Sequence, residues 1–271
     1  MSIHSPLLKR VNEYVRDMPI VSAKAISIGC LIYAMGLSTS VLAADALASF
    51  YDDFETGDTQ IWDYTGLWGR SSSVTLQDLG GELGFVAKAT AEGKGQRVGK
   101  AYLTRDMQQA LQGDRIEASM LVYVPYLQPR SGSVYLMDVE CRDCGYSEKP
   151  GLRVLIDSDG FLRVNRSKLG IAQDLGPTPA GRVPFGRVFR LTLIVELGGE
   201  LDGRTQVFID NELAVDEVGV NMPLTHVAEQ FGVSLTAERF DYVQFGVTAN
   251  SRSDAVTVFF DDVEIDAFSR S

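Results

Sequence analysis

Two carboxylates on one alternating segment are the first groups that could do chemistry. In residues 133–141 (SVYLMDVEC) a period of two puts Leu136, Asp138 and Glu140 on one face, with Tyr135, Met137, Val139 and Cys141 on the other. Asp138 and Glu140 then stand about 7 Å apart along the strand, pointing the same way. Other segments offer further pairs. Arg163 and Asn165 share a face of residues 161–166, Tyr242 and Gln244 share a face of residues 242–249, and Glu117 and Tyr123 share the polar face of residues 115–124. If these faces line one concave sheet, its phenol, amide, guanidinium and carboxylate groups suffice to hydrogen-bond a sugar chain. Trp62 and Trp68 flank Tyr64 in an early loop and could cover the C–H faces of sugar rings. Against that stands the expectation that Trp62 packs on the sandwich edge and Trp68 closes one end of the core.

Strands are needed to carry these groups, and the chain supplies them. Short alternating segments recur at 115–124, 133–141, 151–157, 161–166, 188–197, 205–210, 242–249 and 255–265, which is the pattern of a sandwich or barrel. Asp157-Ser158-Asp159-Gly160 and Asp210-Asn211-Glu212 suit tight hairpins that need positive φ. The first begins like a calcium loop, but strand residues follow where an EF-hand requires further acids, so a plain turn is expected. Helical periodicity is weak; residues 103–111 and 224–231 are read as short helical turns on loops.

The start of the chain reads differently. Residues 25–43 (AISIGCLIYAMGLSTSVLA) carry no charge, follow Lys9, Arg10, Arg16 and Lys24, and end in small residues, with Val41 and Ala43 suiting a signal-peptidase cut after Ala43. An exported protein, periplasmic or extracellular, is expected. The alternative is an uncleaved membrane anchor, since about 19 apolar residues can just span a bilayer. Taking the leader's four basic and two acidic residues from the -11 of the whole 271-residue chain leaves -13 on residues 44–271, read as one domain. That acidity argues against a duplex nucleic-acid binder. Any acidic ligand would need a local basic side, for which Arg97, Lys100, Arg105, Arg153, Arg163, Arg166 and Lys168 are available. Beyond the leader only His226 could supply an imidazole, and a lone histidine in a loop or short helix is read as structural or solvated. Cys141 and Cys144 follow a strand in an exported chain without a βαβ context, so they are read as a local disulfide.

The order of these elements resembles the concanavalin A-like jelly rolls. Residues 50–58 (FYDDFETGD) with Trp62 look like their opening strand, and residues 259–265 (FFDDVEI) look like the closing strand that pairs beside it. Residues 183–193 (VPFGRVFRLTL) and 203–213 (GRTQVFIDNEL) resemble two internal stretches of the same fold, with Asn211 at a usual Gly position. The resemblance covers about residues 50–268. It implies an all-β, two-sheet antiparallel sandwich and a polysaccharide or glycoconjugate ligand on the concave face. The fold also hosts polysaccharide lyases and glycoside hydrolases, so an enzyme of either kind is the alternative, and a structural envelope protein without a sugar ligand is a third. Retaining hydrolases of this fold use Glu-x-Asp-x-Glu, and Leu136 stands where the nucleophile would be, so hydrolysis is not supported. A lyase would draw its uronate-neutralising and proton-moving groups from Arg163, Asn165, Tyr242 and Gln244. The resemblance also implies a structural calcium ion between the chain ends, with Glu55 and Asp261 as first ligands and Asp53 and Asp262 behind them.

Overall fold

The computed structural model describes residues 46–80, 84–127, 132–145, 149–199, 201–230, 232 and 234–269, so the leader read at 1–43 lies outside the described residues. It is a two-sheet antiparallel jelly-roll sandwich, as the strand pattern predicts. The larger sheet has eight strands: β1 (Ala46–Asp52), β3 (Ser73–Asp78), β4 (Phe85–Ala91), β6 (Arg115–Tyr123), β10 (Val188–Glu196), β11 (Arg204–Ile209), β12 (Glu212–Val218) and β14 (Val256–Phe268). Their order is β12-β11-β10-β6-β14-β4-β3, with β1 also on β14. The smaller sheet runs β2-β5-β13-β7-β8-β9, made by β2 (Tyr64–Trp68), β5 (Gly99–Ala110), β13 (Phe240–Asn250), β7 (Val134–Glu140), β8 (Gly151–Ile156) and β9 (Leu162–Asn165).

Alternation decides which side chains meet between the sheets. In β10, Phe189, Leu191, Leu193 and Val195 are buried while Arg190, Thr192 and Ile194 between them are only partly so. The inner layer joins them to Ile116 and Met120 of β6, Leu103 of β5, Phe245 of β13 and Phe260 of β14 in one contiguous core. The closing strand does lie beside the opening one, with Phe50 opposite Ile265 and Asp52 opposite Val263. Both hairpins form. Asp157 accepts the backbone N–H groups of Asp159 and Phe161, and Asp210 and Asn211 take φ of 50° and 70° between β11 and β12. Among the described residues one short α-helix stands at Thr225–Gln230, inside the predicted segment. The other expected helical turn is instead the body of β5, because Ala101 and Leu103 point into the core and pairing to β2 and β13 satisfies the backbone on both sides.

One irregularity decides which residues β7 turns outward. The register of β7 against β8 shifts between Tyr135 and Met137, a bulge that places one extra residue in β7. Leu136 and Met137 are consecutive and both fully buried in the core. The face assignment expected from strict alternation is therefore corrected. Leu136 is not beside Asp138 and Glu140, and Tyr135, below the bulge, joins them on the outward face.

Candidate functional site

The outward face of the six-stranded sheet carries a row of polar side chains running across the strands. Register sets Tyr64 of β2 opposite Thr104 of β5, Thr104 opposite Gln244 of β13, and Gln244 opposite Asp138 of β7. Asp138 is in turn opposite Arg153 of β8, and Arg153 opposite Asn165 of β9. Six strands at about 4.8 Å spacing make this row about 24 Å long. A second row lies on one side of it, with Tyr242 opposite Glu140, and on the other side a third sets Gly66 opposite Tyr102 and a fourth sets Trp68 opposite Lys100. The rows follow from sequence, since each strand alternates these residues with core residues such as Leu103, Val243, Val139 and Val154.

The middle of this face is dry for an outer surface. Asp138, Glu140, Tyr242 and Gln244 are each under 5% exposed. Glu140 accepts hydrogen bonds from the Tyr242 hydroxyl and from Lys168, which reaches in from the turn at Ser167–Leu169. Asp138 accepts one from Thr248 at 2.7 Å. Arg142 and Lys149 close over the Tyr242 ring from the far side, at 5.1 and 5.5 Å from its centre. Arg142 is itself held by Asp106, and the Cys141–Cys144 disulfide ties the turn from which it projects. At the β9 edge Arg153 donates to Asn165 at 2.5 Å and lies 4.4 Å from the centre of the Tyr135 ring. Among the described residues four buried polar atoms have no hydrogen-bond partner, Thr104 Oγ1 and Arg153 Nε on this sheet and Arg115 Nε and Thr205 Oγ1 on the other.

Burial perturbs the titrations. Desolvation, and then the charge of Asp138, push the Glu140 carboxyl upward against the opposing pull of Lys168. Burial, followed by the charge of Glu140 and their hydrogen bond, moves Tyr242 far above the ordinary phenol range. Tyr102 is pushed up to about 12, again by burial first and Glu140 second, although a hydrogen bond with Gln244 works the other way. Lys100 is lowered, because burial disfavours its charge more than Asp138 and Glu140 favour it. A lysine eased towards its neutral form thus lies near a phenol that keeps its proton, an arrangement suited to paired base and acid work.

The backbone makes room for this cluster. A Cβ on Gly66 would fall 2.1 Å from the Tyr102 ring, so only glycine lets that ring lie across β2. Trp68 projects beyond it, 44% exposed, with Lys100 against its face at 4.7 Å.

The predicted residues divide. Asp138, Glu140, Asn165, Tyr242, Gln244 and Trp68 come together on this sheet. Arg163 shares the face of Asn165, but its guanidinium is turned to Asp157 at 2.6 Å. Glu117 and Tyr123 do not belong with them. Both stand on β6 of the eight-stranded sheet, where Glu117 pairs with Arg115 at 2.8 Å and Tyr123 packs on Phe259. Trp62 is a core residue, 7% exposed, stacked on Phe54 and donating to Asp52 at 2.6 Å. Lys100, Tyr102, Thr104, Arg153 and Lys168 complete the cluster. Three of them stand out in the sequence only as local positive charge, and the alternation of Lys100, Tyr102 and Thr104 with Ala101 and Leu103 is the available signal for the strand.

The four acids expected to hold calcium lie where β14 passes from β4 to β1 and at the end of β1. Glu55 accepts the Phe85 N–H at 2.8 Å, Asp53 the Glu55 N–H at 3.2 Å, and Asp262 the Tyr51 hydroxyl at 2.8 Å. Asp261 is pushed up to about 7 by burial, with Asp262, Asp53 and Glu55 adding to the rise. Among the described residues no three His, Cys, Asp or Glu side chains gather into a metal-holding group.

Comparisons with known proteins place the fold. No family model matches the chain, and no curated sequence does. Among solved structures, an endo-beta-1,4-glucuronan lyase from the fungus Trichoderma reesei superposes with a TM-score of 0.57 at 13% identity, covering 80% of this chain and 94% of the other. A cellulose-induced protein, Cip1, superposes at 0.52 with 18% identity, over 80% of this chain and 96% of that one. The fold is therefore a concanavalin A-like jelly roll.

Proposed function

We propose that the outward face of the six-stranded sheet binds a polysaccharide laid across the strands, and that its central cluster cleaves a uronic-acid polymer by β-elimination. The observation that carries this reading is the polar row from Tyr64 to Asn165, with Gln244 within it and the desolvated Tyr102 and Lys100 in the rows beside it on β5. Folding alone has no use for ionisable groups buried on an outward face, whereas catalysis does.

In the proposed step Lys100 Nζ takes the proton from C5 of the uronate. The C–H electron pair forms the C4=C5 double bond, the C4–O4 bond breaks, and the Tyr102 hydroxyl gives its proton to O4. Gln244 and Arg153 hydrogen-bond the uronate carboxylate and so favour loss of the neighbouring proton. Glu140 and Tyr242 hold Lys168 and the sheet surface in place. Elimination suits the face better than hydrolysis, because Leu136 is in the core and both carboxylates are already engaged, Asp138 by Thr248 and Glu140 by Tyr242 and Lys168.

The test is incubation with polyglucuronate, other polyuronates and neutral glucans, reading absorbance of unsaturated ends and release of reducing sugar. Polyglucuronate comes first because the fungal lyase of this fold is named for it. The expected result is unsaturated ends from a polyuronate, with the rate lowered about 100-fold or more in Tyr102→Phe and Lys100→Met. Binding without cleavage in the native protein would reduce the reading to a carbohydrate-binding module. Neither binding nor cleavage would leave a structural envelope protein.

A further inference from the structure

Beside Trp68, at the β2 edge of the sheet, lies a pocket of about 760 Å³ that the central cluster does not use. It is lined by Trp68, Arg70, Glu92, Gln96, Arg97 and the glycines around them. Arg70 and Arg97 are both exposed. They come from two loops, one following β2 and the other joining β4 to β5, and those loops are fastened to each other. The Glu92 carboxylate accepts the Ser71 N–H at 3.3 Å, while Ser72 Oγ accepts the Glu92 N–H at 3.0 Å and donates to the Trp68 carbonyl at 2.6 Å.

The second loop is held from beneath as well. The fully buried Asn250 donates to the carbonyls of Glu92 at 3.0 Å and Asp254 at 2.8 Å, and the Lys94 N–H reaches the Arg252 carbonyl at 2.6 Å. Close packing allows no side chain at two of its glycines. A Cβ on Gly93 would lie 2.1 Å from the Ser253 carbonyl oxygen, and one on Gly99 would lie 2.0 Å from that of Glu92. Two guanidinium groups are thus mounted on anchored backbone next to an exposed indole. Lys100, stacked on that indole, leads directly to the central cluster.

We propose that this pocket is a separate subsite for an anionic sugar unit of the bound polysaccharide. Trp68 covers the sugar's C–H face, and Arg70 and Arg97 take its acid group, whether a uronate carboxylate or a sulfate ester. The inference rests on the polysaccharide-binding part of the proposed function and adds that the ligand is charged away from the point of cleavage. It also explains how a chain of net charge -11 can hold a polyanion, since the cations are gathered along one edge and the adjoining row.

The experiment titrates three tetrasaccharides, a polyuronate, a sulfated galactan and a neutral β-glucan, into the native protein while following tryptophan fluorescence. Trp62 is buried and Trp68 exposed, and they are the chain's two tryptophans, so a ligand-induced change that vanishes in Trp68→Phe locates the ligand. The double variant Arg70→Ala/Arg97→Ala is expected to bind an anionic tetrasaccharide at least tenfold more weakly and with less salt dependence, and to leave the neutral one unchanged. The anionic oligomer that shows this loss identifies the acid group. Unchanged anionic affinity in the double variant, with polyuronate binding or cleavage intact in the native protein, would overturn the subsite alone. Absence of all binding and cleavage in the native protein would overturn both readings, and Arg-dependent binding without unsaturated ends would support the subsite while removing the elimination step.

Discussion

The two sheets turn opposite surfaces to solvent. The eight-stranded sheet carries an apolar patch on part of its outer face, Val86, Tyr123 and Phe259 packed with Leu79 and Val188, around a pocket of about 330 Å³. Two of its ion pairs, Arg187 with Asp210 and Arg190 with Asp262, lie at the rim of that patch and are about one third exposed. The six-stranded sheet does the reverse, burying Asp138, Glu140, Tyr242 and Gln244 on the face that points away from the core. Desolvating such groups costs free energy that even good hydrogen bonds recover only in part. The contrast marks where the fold departs from what stability alone would select.

That contrast is most exposed to disproof at Lys168, the partner of Glu140. Lys168→Met leaves a 2%-exposed carboxylate without its cation, and it should lower stability by about 3 kcal/mol at neutral pH, measured by urea unfolding. The loss should be larger at pH 8 than at pH 5. Burial already raises Glu140, removing Lys168 raises it further, and a carboxyl with a raised folded pKa loses stability as pH rises through that value. A loss equal at both pH values would show that Glu140 is not the group left exposed to the change.

A smaller effect is expected at Asp261, under the apolar outer face. Its carboxyl is raised from the ordinary 3.8 to about 7, so its contribution to stability is full below about 4 and declines as pH rises to about 7. Asp261→Asn should therefore raise Tm by a few degrees at pH 8 and change it little at pH 4. Calcium added at pH 8 tests the metal expectation in the same assay. A gain in the native protein that Asp261→Asn abolishes would assign the ion there, and indifference to both calcium and EDTA would remove it. The smallest effect belongs to the rim. Arg187→Ala should cost less than about 1 kcal/mol, and a larger loss would mean that the apolar face depends on its ion pairs more than an exposed pair allows.

The strands that alternate cleanly were legible, and so were the faces they create. β10, β11 and β14 fall close to their expected bounds, and Tyr242 and Gln244 do share a face with Asp138 and Glu140. What alternation cannot supply is the sheet to which a strand belongs. Glu117 and Tyr123 do share one face of β6, but that strand pairs with β10 and β14 on the other side of the sandwich. Lys168 was illegible for a different reason, since it reaches Glu140 from a turn and no periodicity relates the two. β5 was obscured by the weak helical spacing of residues 103–111, which tertiary pairing overrides.

The bulge at Leu136 works as a phase shifter for β7. A single extra residue lets Tyr135 and Asp138 look outward from one strand although they are an odd number of positions apart. The part of β7 after the bulge is thereby tuned independently of the part before it. Removing one residue there would therefore not act like an ordinary cavity. It would turn one half of the strand over relative to the other, sending either Tyr135 or the two carboxylates towards the core while most of the composition stayed the same.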